Sequence, residues 1–162
     1  MFLSLEEEIA DYIKTYKQLS WFFKKYFTKE EVVTLDKIMY DYLPQQRRAL
    51  GEKLIFCHAD MWEYNILIDE NGKVGIIDCG HAGYFDEAMD FCLLDEQLRE
   101  LVLDYYGADE TLRKKTKLKY YMNKLKTPKV YASVYSEDFA NKNLSPDIRK
   151  IIAEYTLTVA DS

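Results

Sequence analysis

Residues 56–83 read FCHADMWEYNILIDENGKVGIIDCGHAG, a stretch in which short apolar runs alternate with polar residues. The runs LIFC, which starts at residue 54, NILI and KVGIID are typical of short β-strands. The segment DENG between the last two runs predicts a hairpin turn. Four polar side chains, those of His58, Asp60, Asn65 and Asp78, therefore fall in loops or at strand ends. Because ionisable groups beside apolar strands usually cost stability, we expect these four residues to serve a function.

The sequence on both sides of this stretch has helical periodicity. Apolar residues recur at three- and four-residue steps from Leu5 to Tyr26, which predicts an amphipathic helix. Thr28 and Glu31 then form a capping box at the start of a second helix. Helical spacing returns after Gly83 and continues towards the C-terminus.

Two prolines predict boundaries in the helices that follow. Pro128 interrupts a helical pattern, and Ser145 followed by Pro146 is typical of an N-cap and the first position of a new helix. We predict a mainly α chain with a small β hairpin, an α+β fold, in a single domain spanning 1–162. Its parts are leading helices at 1–50, polar loops at 54–83 and a helical tail at 85–162.

Composition limits the classes of protein to which the chain can belong. Its 162 residues are 48% apolar and 15% aromatic, which suits a folded domain with its own core. The formal net charge of −6 argues against nucleic acid as the main partner and suits a cationic small molecule better. The acidic N-terminal residues do not resemble a secretory signal, and no apolar stretch is long enough to span a membrane. We therefore expect a cytoplasmic protein that binds neither nucleic acid nor membrane.

The three cysteines and the basic run at 113–119 can each be interpreted either as structural residues or as functional ones. The three cysteines form no C-x-x-C pair, so we interpret them as free thiols that pack in the core rather than act as nucleophiles. The basic run at 113–119 has apolar residues at helical spacing between its charges. This pattern favours a solvated helix face over a nucleic-acid surface.

The polar loops contain the groups that phosphoryl transfer requires. This reaction needs a carboxylate at the attacking hydroxyl and oxygen ligands that hold Mg²⁺ against the donor phosphates. Asp60 would accept the hydroxyl proton, while Asn65 and Asp78 would bind the metal, a hard cation that prefers oxygen. His58 lies two residues before this base, where we expect it to brace the loop through hydrogen bonds.

Two motifs resemble the aminoglycoside phosphotransferase and choline kinase family. The segment HADMWEYN stands for the family pattern H-G-D-x-x-x-x-N, and GIIDCGHAGYFDEAMDF stands for I-I-D-W-G-x-A-x-x-x-D-P-x-x-D. The resemblance implies the C-terminal, catalytic lobe of a protein-kinase-like fold. It also implies a role for each matched residue: Asp60 as catalytic base, Asn65 and Asp78 as magnesium ligands, and Asp90 as a carboxylate that supports the catalytic loop.

Three positions depart from the family pattern. Ala59 and Cys79 stand where Gly and an aromatic residue are usual, and Glu87 stands where Pro is common. None of these changes removes a reacting group, although we expect Ala59 to tighten the backbone before Asp60.

Acidic residues near the expected mouth of the site are candidates for binding a polycationic acceptor. They are Glu63, Asp86, Glu87, Asp95 and Glu96. Ordinary solvated side chains are the competing interpretation, and the residues by themselves favour it at each position. With the resemblance, the segment 54–83 becomes the catalytic and metal loops, and 85–162 becomes the substrate side.

The part of the family fold that binds the nucleotide has no counterpart in this sequence. A complete enzyme of the family has an N-terminal β lobe with a loop over the donor phosphates. Here the residues before the catalytic loop read as helix, and their first glycine is Gly51, so no glycine-rich phosphate loop precedes the motif. We expect this lobe to be absent, so that the chain is a lobe cut from a longer enzyme, the product of a truncated gene or a stand-alone lobe.

From the resemblance, the leading hypothesis is the catalytic and substrate-binding lobe of a small-molecule O-phosphotransferase. With Mg²⁺, it would transfer the γ-phosphate of ATP or GTP to a hydroxyl of an aminoglycoside-like antibiotic or an amino alcohol. We expect the isolated chain to be inactive, to need the absent lobe as a partner, and to form a homodimer through the surface that this lobe would cover. The alternative is a non-catalytic, kinase-like interaction module.

Overall fold

The structure is a computed structural model that describes residues 4–160. Seven α-helices occupy most of this range: α1 (Leu5–Gln18), α2 (Ser20–Tyr26), α3 (Lys29–Lys37), α4 (Leu43–Leu50), α5 (Glu96–Tyr106), α6 (Glu110–Val134) and α7 (Glu137–Ala160). Four short strands lie between α4 and α5: β1 (Leu54–Cys57), β2 (Ile66–Ile68), β3 (Val74–Ile76) and β4 (Gly83–Asp86). The prediction of a mainly α chain with small antiparallel β elements is confirmed. None of the helices in the described range is long and apolar enough to cross a membrane.

The described chain divides into two compact units. The first, here called the sheet unit, comprises residues 4–5 and 50–120, and it contains all four strands. The second, here called the helical unit, comprises residues 6–49 and 121–160. This division does not test the prediction of a single domain spanning 1–162, which stays a prediction.

Aromatic side chains build much of the core of the helical unit. Phe22, Phe23 and Phe27 are all buried. The rings of Phe22 and Phe23 pack edge to face with centroids 5.6 Å apart, and Phe27 contacts Phe23 at 5.8 Å. Such pairs stabilise a core beyond the contribution of their buried area, so α2 is anchored mainly by aromatic packing.

The prediction of one continuous helix over 5–26 is wrong. The structure has two helices, α1 and α2, which separate at Leu19. The Leu19 amide donates to the carbonyl of Tyr16, three residues back, at 2.9 Å, and this tighter turn ends α1. Leu19 at the break is buried, as are Phe22 and Phe23 in α2. The apolar periodicity continues across Leu19 and does not indicate the break.

Two local signals in the sequence are confirmed. At the start of α3, the Glu31 amide donates to Thr28 Oγ1 at 3.2 Å and the Thr28 amide donates to the Glu31 carboxylate at 2.8 Å. Between β2 and β3, Asp69 Oδ1 accepts a hydrogen bond from the Lys73 amide at 2.8 Å, and Gly72 takes a left-handed φ of 77°. Both motifs depend on residues within four positions of each other, which is why the sequence predicts them well.

The two helix boundaries predicted at prolines are wrong, because α6 continues through Pro128 and α7 continues through Pro146. Proline inside a helix costs about 3 kcal/mol, since it removes a main-chain hydrogen bond and its ring crowds the preceding turn. In α7, however, buried Leu144 lies before Pro146 and buried Ile148 and Ile151 lie after it. Burying each of these side chains stabilises by about 1.5–3 kcal/mol, which outweighs the cost of the proline.

The strands pair as two separate antiparallel sheets within the sheet unit. β2 pairs with β3 in the predicted hairpin. β1 pairs with β4, which places Cys57 opposite Gly83 although these segments are remote in sequence. The loop at 58–65 therefore starts at one sheet and ends at the other. A buried apolar cluster in this unit consists of Ala88, Phe91, Leu103 and Leu112.

Candidate active site

The loop after β1 is held by the carboxylate of Asp90. Its Oδ2 accepts a hydrogen bond from the His58 amide at 3.1 Å, and its Oδ1 accepts one from the Ala59 amide at 2.7 Å. Ala59 has a left-handed φ of 64°, a conformation that costs a non-glycine residue about 1–2 kcal/mol. Two hydrogen bonds to a charged acceptor offset this cost and hold the backbone directly before Asp60. The structure thus gives Asp90 loop-holding contacts, while its part in catalysis stays a prediction.

Asp60 and Asn65 contact each other directly. The Asn65 amide nitrogen Nδ2 donates to the Asp60 carbonyl oxygen at 2.9 Å and to Asp60 Oδ2 at 3.2 Å. Asn65 is buried, whereas the side chain of Asp60 is 31% exposed. The ring of His81 is also near, with Nδ1 lying 3.8 Å from Asp60 Oδ2. The Asp60 carboxylate is therefore held in place and still accessible to a ligand hydroxyl.

The segment after β3 is joined to this loop by two hydrogen bonds at Ile77. The Ile77 amide donates to the Asn65 carbonyl at 3.0 Å. His58 Nε2 lies 2.8 Å from the Ile77 carbonyl, to which it donates in the Nε2-protonated tautomer. His58 thus connects the loop that carries Asp60 to the segment that carries Asp78, the contact expected of a brace.

Asp78 follows this junction in a left-handed backbone conformation, with φ 61° and ψ 56°. Its side chain is exposed. Within residues 4–160, the Asp78 carboxylate makes no hydrogen bond or ion pair. An exposed carboxylate without such a partner is available to a ligand or a metal ion.

Asn65 and Asp78 each offer an oxygen atom that is chemically suited to bind a magnesium ion. Because Asn65 Nδ2 donates to Asp60, Oδ1 is the atom of the Asn65 amide that remains as an acceptor. This oxygen and the Asp78 carboxylate are hard donors of the kind that Mg²⁺ prefers. In the described part of the chain, no three or more His, Cys, Asp or Glu side chains are grouped as a metal site. Two protein ligands would leave most of an octahedral shell to water and phosphate oxygens.

Two of the acidic residues predicted at the mouth of the site are buried. Asp86 is 2% exposed and Glu87 is 6% exposed. Lys115 Nζ lies 3.3 Å from Asp86 Oδ2 and 3.6 Å from Glu87 Oε1, and Lys53 Nζ lies 2.7 Å from Glu87 Oε2. The interpretation of these two residues as solvated side chains is therefore wrong. Their contacts give both carboxylates a structural role, and the substrate contact assigned from the sequence stays a prediction.

The other three acidic candidates lie at the start of α5 or in contact with it. Glu63 Oε1 accepts a hydrogen bond from the Asp95 amide at 2.9 Å, and Asp95 Oδ1 caps α5 by accepting one from the Leu98 amide at 2.9 Å. Glu96 lies in the first turn of α5. Glu63 is partly exposed, and Asp95 and Glu96 are exposed. Because these three side chains are accessible to solvent, they could also contact a substrate. Their predicted role in substrate binding stays a prediction.

The sequence interpretation missed two buried lysines in the basic run at 113–119. Lys115 is 3% exposed and Lys119 is 1% exposed, so the interpretation of the run as a solvated face is wrong for both. The signal that indicates their burial is helical spacing. Positions 115 and 119 follow the buried Leu112 at steps of three and four residues, which places all three on one face of α6.

Comparisons with known proteins point to the same family as the motifs. The model of the phosphotransferase enzyme family matches residues 3–116, which is more than half of the chain. An aminoglycoside 3'-phosphotransferase of Niallia circulans is 31% identical over 90 residues, covering 50% of this chain and 34% of that protein. The enzyme of the same name from Enterococcus faecalis is 31% identical over 93 residues, covering 52% and 33%, and that from Acinetobacter baumannii is 39% identical over 49 residues, covering 30% and 19%. The matched part of the chain thus spans about a third or less of these relatives.

Proposed function

The chain belongs to the phosphotransferase enzyme family, and from this premise we propose that it is the catalytic and acceptor-binding lobe of a small-molecule O-phosphotransferase. The observation that carries the proposal is the direct contact of Asn65 with the accessible carboxylate of Asp60, on a loop joined by hydrogen bonds to the residue before Asp78. A base and two oxygen ligands on adjoining loops are the protein groups that phosphoryl transfer needs.

In the proposed reaction, Asp60 is the general base. The acceptor hydroxyl hydrogen-bonds to the Asp60 carboxylate, which takes the proton as the hydroxyl oxygen bonds to the γ-phosphorus of the nucleotide. The bond between that phosphorus and its bridging oxygen breaks, and a nucleoside diphosphate leaves. The Asn65 amide keeps the Asp60 carboxylate oriented towards the acceptor. When bound, Mg²⁺ on Asn65 Oδ1 and the Asp78 carboxylate would neutralise negative charge on the phosphates.

We propose a cationic, hydroxyl-bearing acceptor, either an aminoglycoside or an amino alcohol. The relatives are named as aminoglycoside 3'-phosphotransferases, and the net charge of −6 suits a polycation. Phosphorylation of such an antibiotic would make the protein a resistance determinant. The proposed donor is ATP or GTP, and the proposed location is the cytoplasm, where these nucleotides and free thiols are both present.

We also propose that the fold is that of a kinase-like C-terminal lobe, with the nucleotide held by an N-terminal β lobe that these residues do not form. In the described range, no glycine-rich loop precedes Asp60, so the chain by itself would be inactive. Exposed apolar side chains on the two sheets offer a surface for the other lobe or for a second copy in a homodimer. They are Phe56, Leu67, Ile68, Val74 and Tyr84.

The same exposed apolar surface favours a second candidate function. Exposed apolar side chains that contact each other, as Phe56 and Tyr84 do, commonly mark a protein interaction site. A non-catalytic, kinase-like module would use it to bind a partner protein, and the Asp60 site would then be inert.

A nucleotide-consumption assay distinguishes the two functions. The chain is joined in one polypeptide to a nucleotide-binding N-terminal lobe from a member of the family and is assayed with Mg²⁺, ATP or GTP, and a panel of aminoglycosides and choline. We expect negligible turnover from the chain alone and measurable turnover from the joined protein. Asp60→Ala should then lower turnover at least about 100-fold, because a general base typically contributes that much. Asp11→Ala, an exposed position on α1, serves as the control and should leave turnover unchanged.

Three outcomes would count against parts of this proposal. Equal turnover with and without the Asp60 carboxylate would show that the base is assigned wrongly. Full activity of the isolated chain would contradict the need for another lobe. A folded joined protein that transfers phosphate to no acceptor would favour the interaction module.

A further inference from the structure

A buried ion cluster lies beside the turn that carries Asp90. We call it the Lys115 cluster, and it consists of Lys115, Asp86, Glu87 and Lys53. The side chains of Lys115, Asp86 and Glu87 are 4%, 1% and 8% exposed. A cation buried this deeply requires carboxylates that compensate for its lost hydration, so these three charges depend on one another.

The Lys115 cluster holds the start of the turn. Asp86 Oδ2 accepts hydrogen bonds from Lys115 Nζ at 3.3 Å and from the Lys53 amide at 3.1 Å, while its Oδ1 caps the turn at the Ala88 amide. Glu87 is paired with both lysines, at 2.7 Å to Lys53 and 3.6 Å to Lys115. Glu87 stands where the family commonly has proline. These ion pairs anchor the Glu87 side chain at the start of the turn.

The other end of the same turn holds the loop before the proposed base. The turn spans only Glu87–Asp90, and the Asp90 carboxylate accepts the amides of His58 and Ala59. A displacement at Glu87 therefore reaches Asp90 through a single turn of backbone. We propose that Lys115 is a positioning residue, which acts through this turn to hold the loop that carries Asp60. The inference rests on the proposed function for the role given to Asp60.

Removal of the Lys115 charge should release the turn. Lys115→Met removes the buried cation of the Lys115 cluster and leaves the carboxylates of Asp86 and Glu87 buried. The Lys53 side chain, which pairs with Glu87, is 66% exposed, so its charge is largely solvated and compensates the Glu87 carboxylate incompletely. The carboxylates should then shift towards water, and Asp90 should move with the turn.

Amide hydrogen exchange of the whole chain, measured by NMR without nucleotide or acceptor, tests the proposal. In Lys115→Met we expect the amides of His58 and Ala59 to exchange at least about tenfold faster, because their bonds to Asp90 open more often. The amide of Leu103, in the buried cluster of the same unit, should keep its rate. The control is Lys114→Met, since Lys114 is the exposed neighbour on α6 and pairs with Glu110. It should change neither loop amide.

An unchanged rate at Ala59 in a folded Lys115→Met protein would overturn the proposal. Equally faster exchange at all amides, Leu103 included, would also overturn it. Such a result would indicate that Lys115 stabilises the whole fold and does not specifically position the loop. If Lys115→Met does not fold, Lys115→Gln decides, because it also removes the charge but keeps a polar group beside the two carboxylates: faster exchange at His58 and Ala59 alone supports the proposal, and unchanged exchange there overturns it. Because no phosphoryl transfer is measured, failure of this test is distinct from failure of the proposed function.

Discussion

Cys57 lies next to His58 in the sequence, but in the structure the two side chains have different partners. Its thiol is buried at the end of β1 and lies 3.6 Å from the carbonyl oxygen of Ile55. The ring of His58 is directed to the Ile77 carbonyl instead. Burial, aided by the negative charge of Asp90, raises the pKa of the Cys57 thiol to about 12. The thiol is therefore a core group, which agrees with its interpretation from the sequence.

At the residue scale we predict that iodoacetamide at pH 8 alkylates Cys79 and leaves Cys57 unmodified. Only the thiolate reacts, and a pKa raised to about 12 keeps all but about 10⁻⁴ of the Cys57 thiol protonated at this pH. Cys57 and Cys92 are buried, but Cys79 is exposed, so the interpretation of the cysteines as core residues is wrong for Cys79. Peptide mass spectrometry locates the label, with urea-unfolded protein as the control in which all three react. Labelling of Cys57 as fast as Cys79 in the folded protein would contradict its burial.

Helix α7 continues through a local sequence pattern that predicts a helix start. The pair Ser145–Pro146 is typical of a helix start, where the serine hydroxyl accepts an amide. In the structure, Ser145 Oγ instead donates to Asn141 Oδ1 at 2.6 Å, one turn back along the same helix. Ser145 is buried together with Leu144 and Ile148, so the element is continuous where the local pattern predicts a boundary.

At the element scale we predict that Pro146→Ala raises the free energy of unfolding by about 1–3 kcal/mol. Alanine restores the main-chain hydrogen bond and removes the ring from the preceding turn. Pro146 is exposed, so the substitution loses little packing. Pro128→Ala in α6 is the matched comparison and should gain less, since Pro128 is buried and its contacts would be lost. Urea unfolding followed by circular dichroism measures both, and a decrease for Pro146→Ala would contradict the prediction.

At the scale of the whole molecule, the main feature is a set of exposed apolar side chains on the two sheets of the sheet unit. Phe56, Ile68 and Tyr84 are 65%, 69% and 60% exposed, although such side chains are usually buried. Phe56 and Tyr84 contact each other with ring centroids 5.6 Å apart, and Ile68 lies opposite Val74, which is also exposed, so these side chains are exposed in groups rather than singly. This surface is the basis for the proposed second lobe and for the proposed homodimer.

At the scale of the whole molecule we predict association that depends on concentration. Light scattering should give a mass that rises from that of a monomer towards that of a dimer as the protein is concentrated. Ile68→Glu on β2 should raise the dissociation constant at least about tenfold, because it places a charge in an apolar interface. Val33→Glu on α3 is the control, since Val33 is comparably exposed but lies in the helical unit. A monomer at every concentration would count against the homodimer.

Features that depend on residues close together in the chain can be predicted without the structure. The spacing of His58, Asp60 and Asn65, the capping box at Thr28 and the turn between β2 and β3 all follow from residues a few positions apart, and the structure retains them. The spacing of the motifs also identified the family.

Which charges are buried and where helices end depend on contacts between remote parts of the chain. The Lys115 cluster joins Lys115 to Asp86, which is 29 residues away, and β1 pairs with β4 across an intervening hairpin. Periodicity within α6 cannot specify such partners, because a lysine is stable inside only where the rest of the chain brings carboxylates to it. For the same reason Pro146 does not end α7: the burial of Ile148 and Ile151, which outweighs the cost of the proline, comes from packing and not from the local sequence.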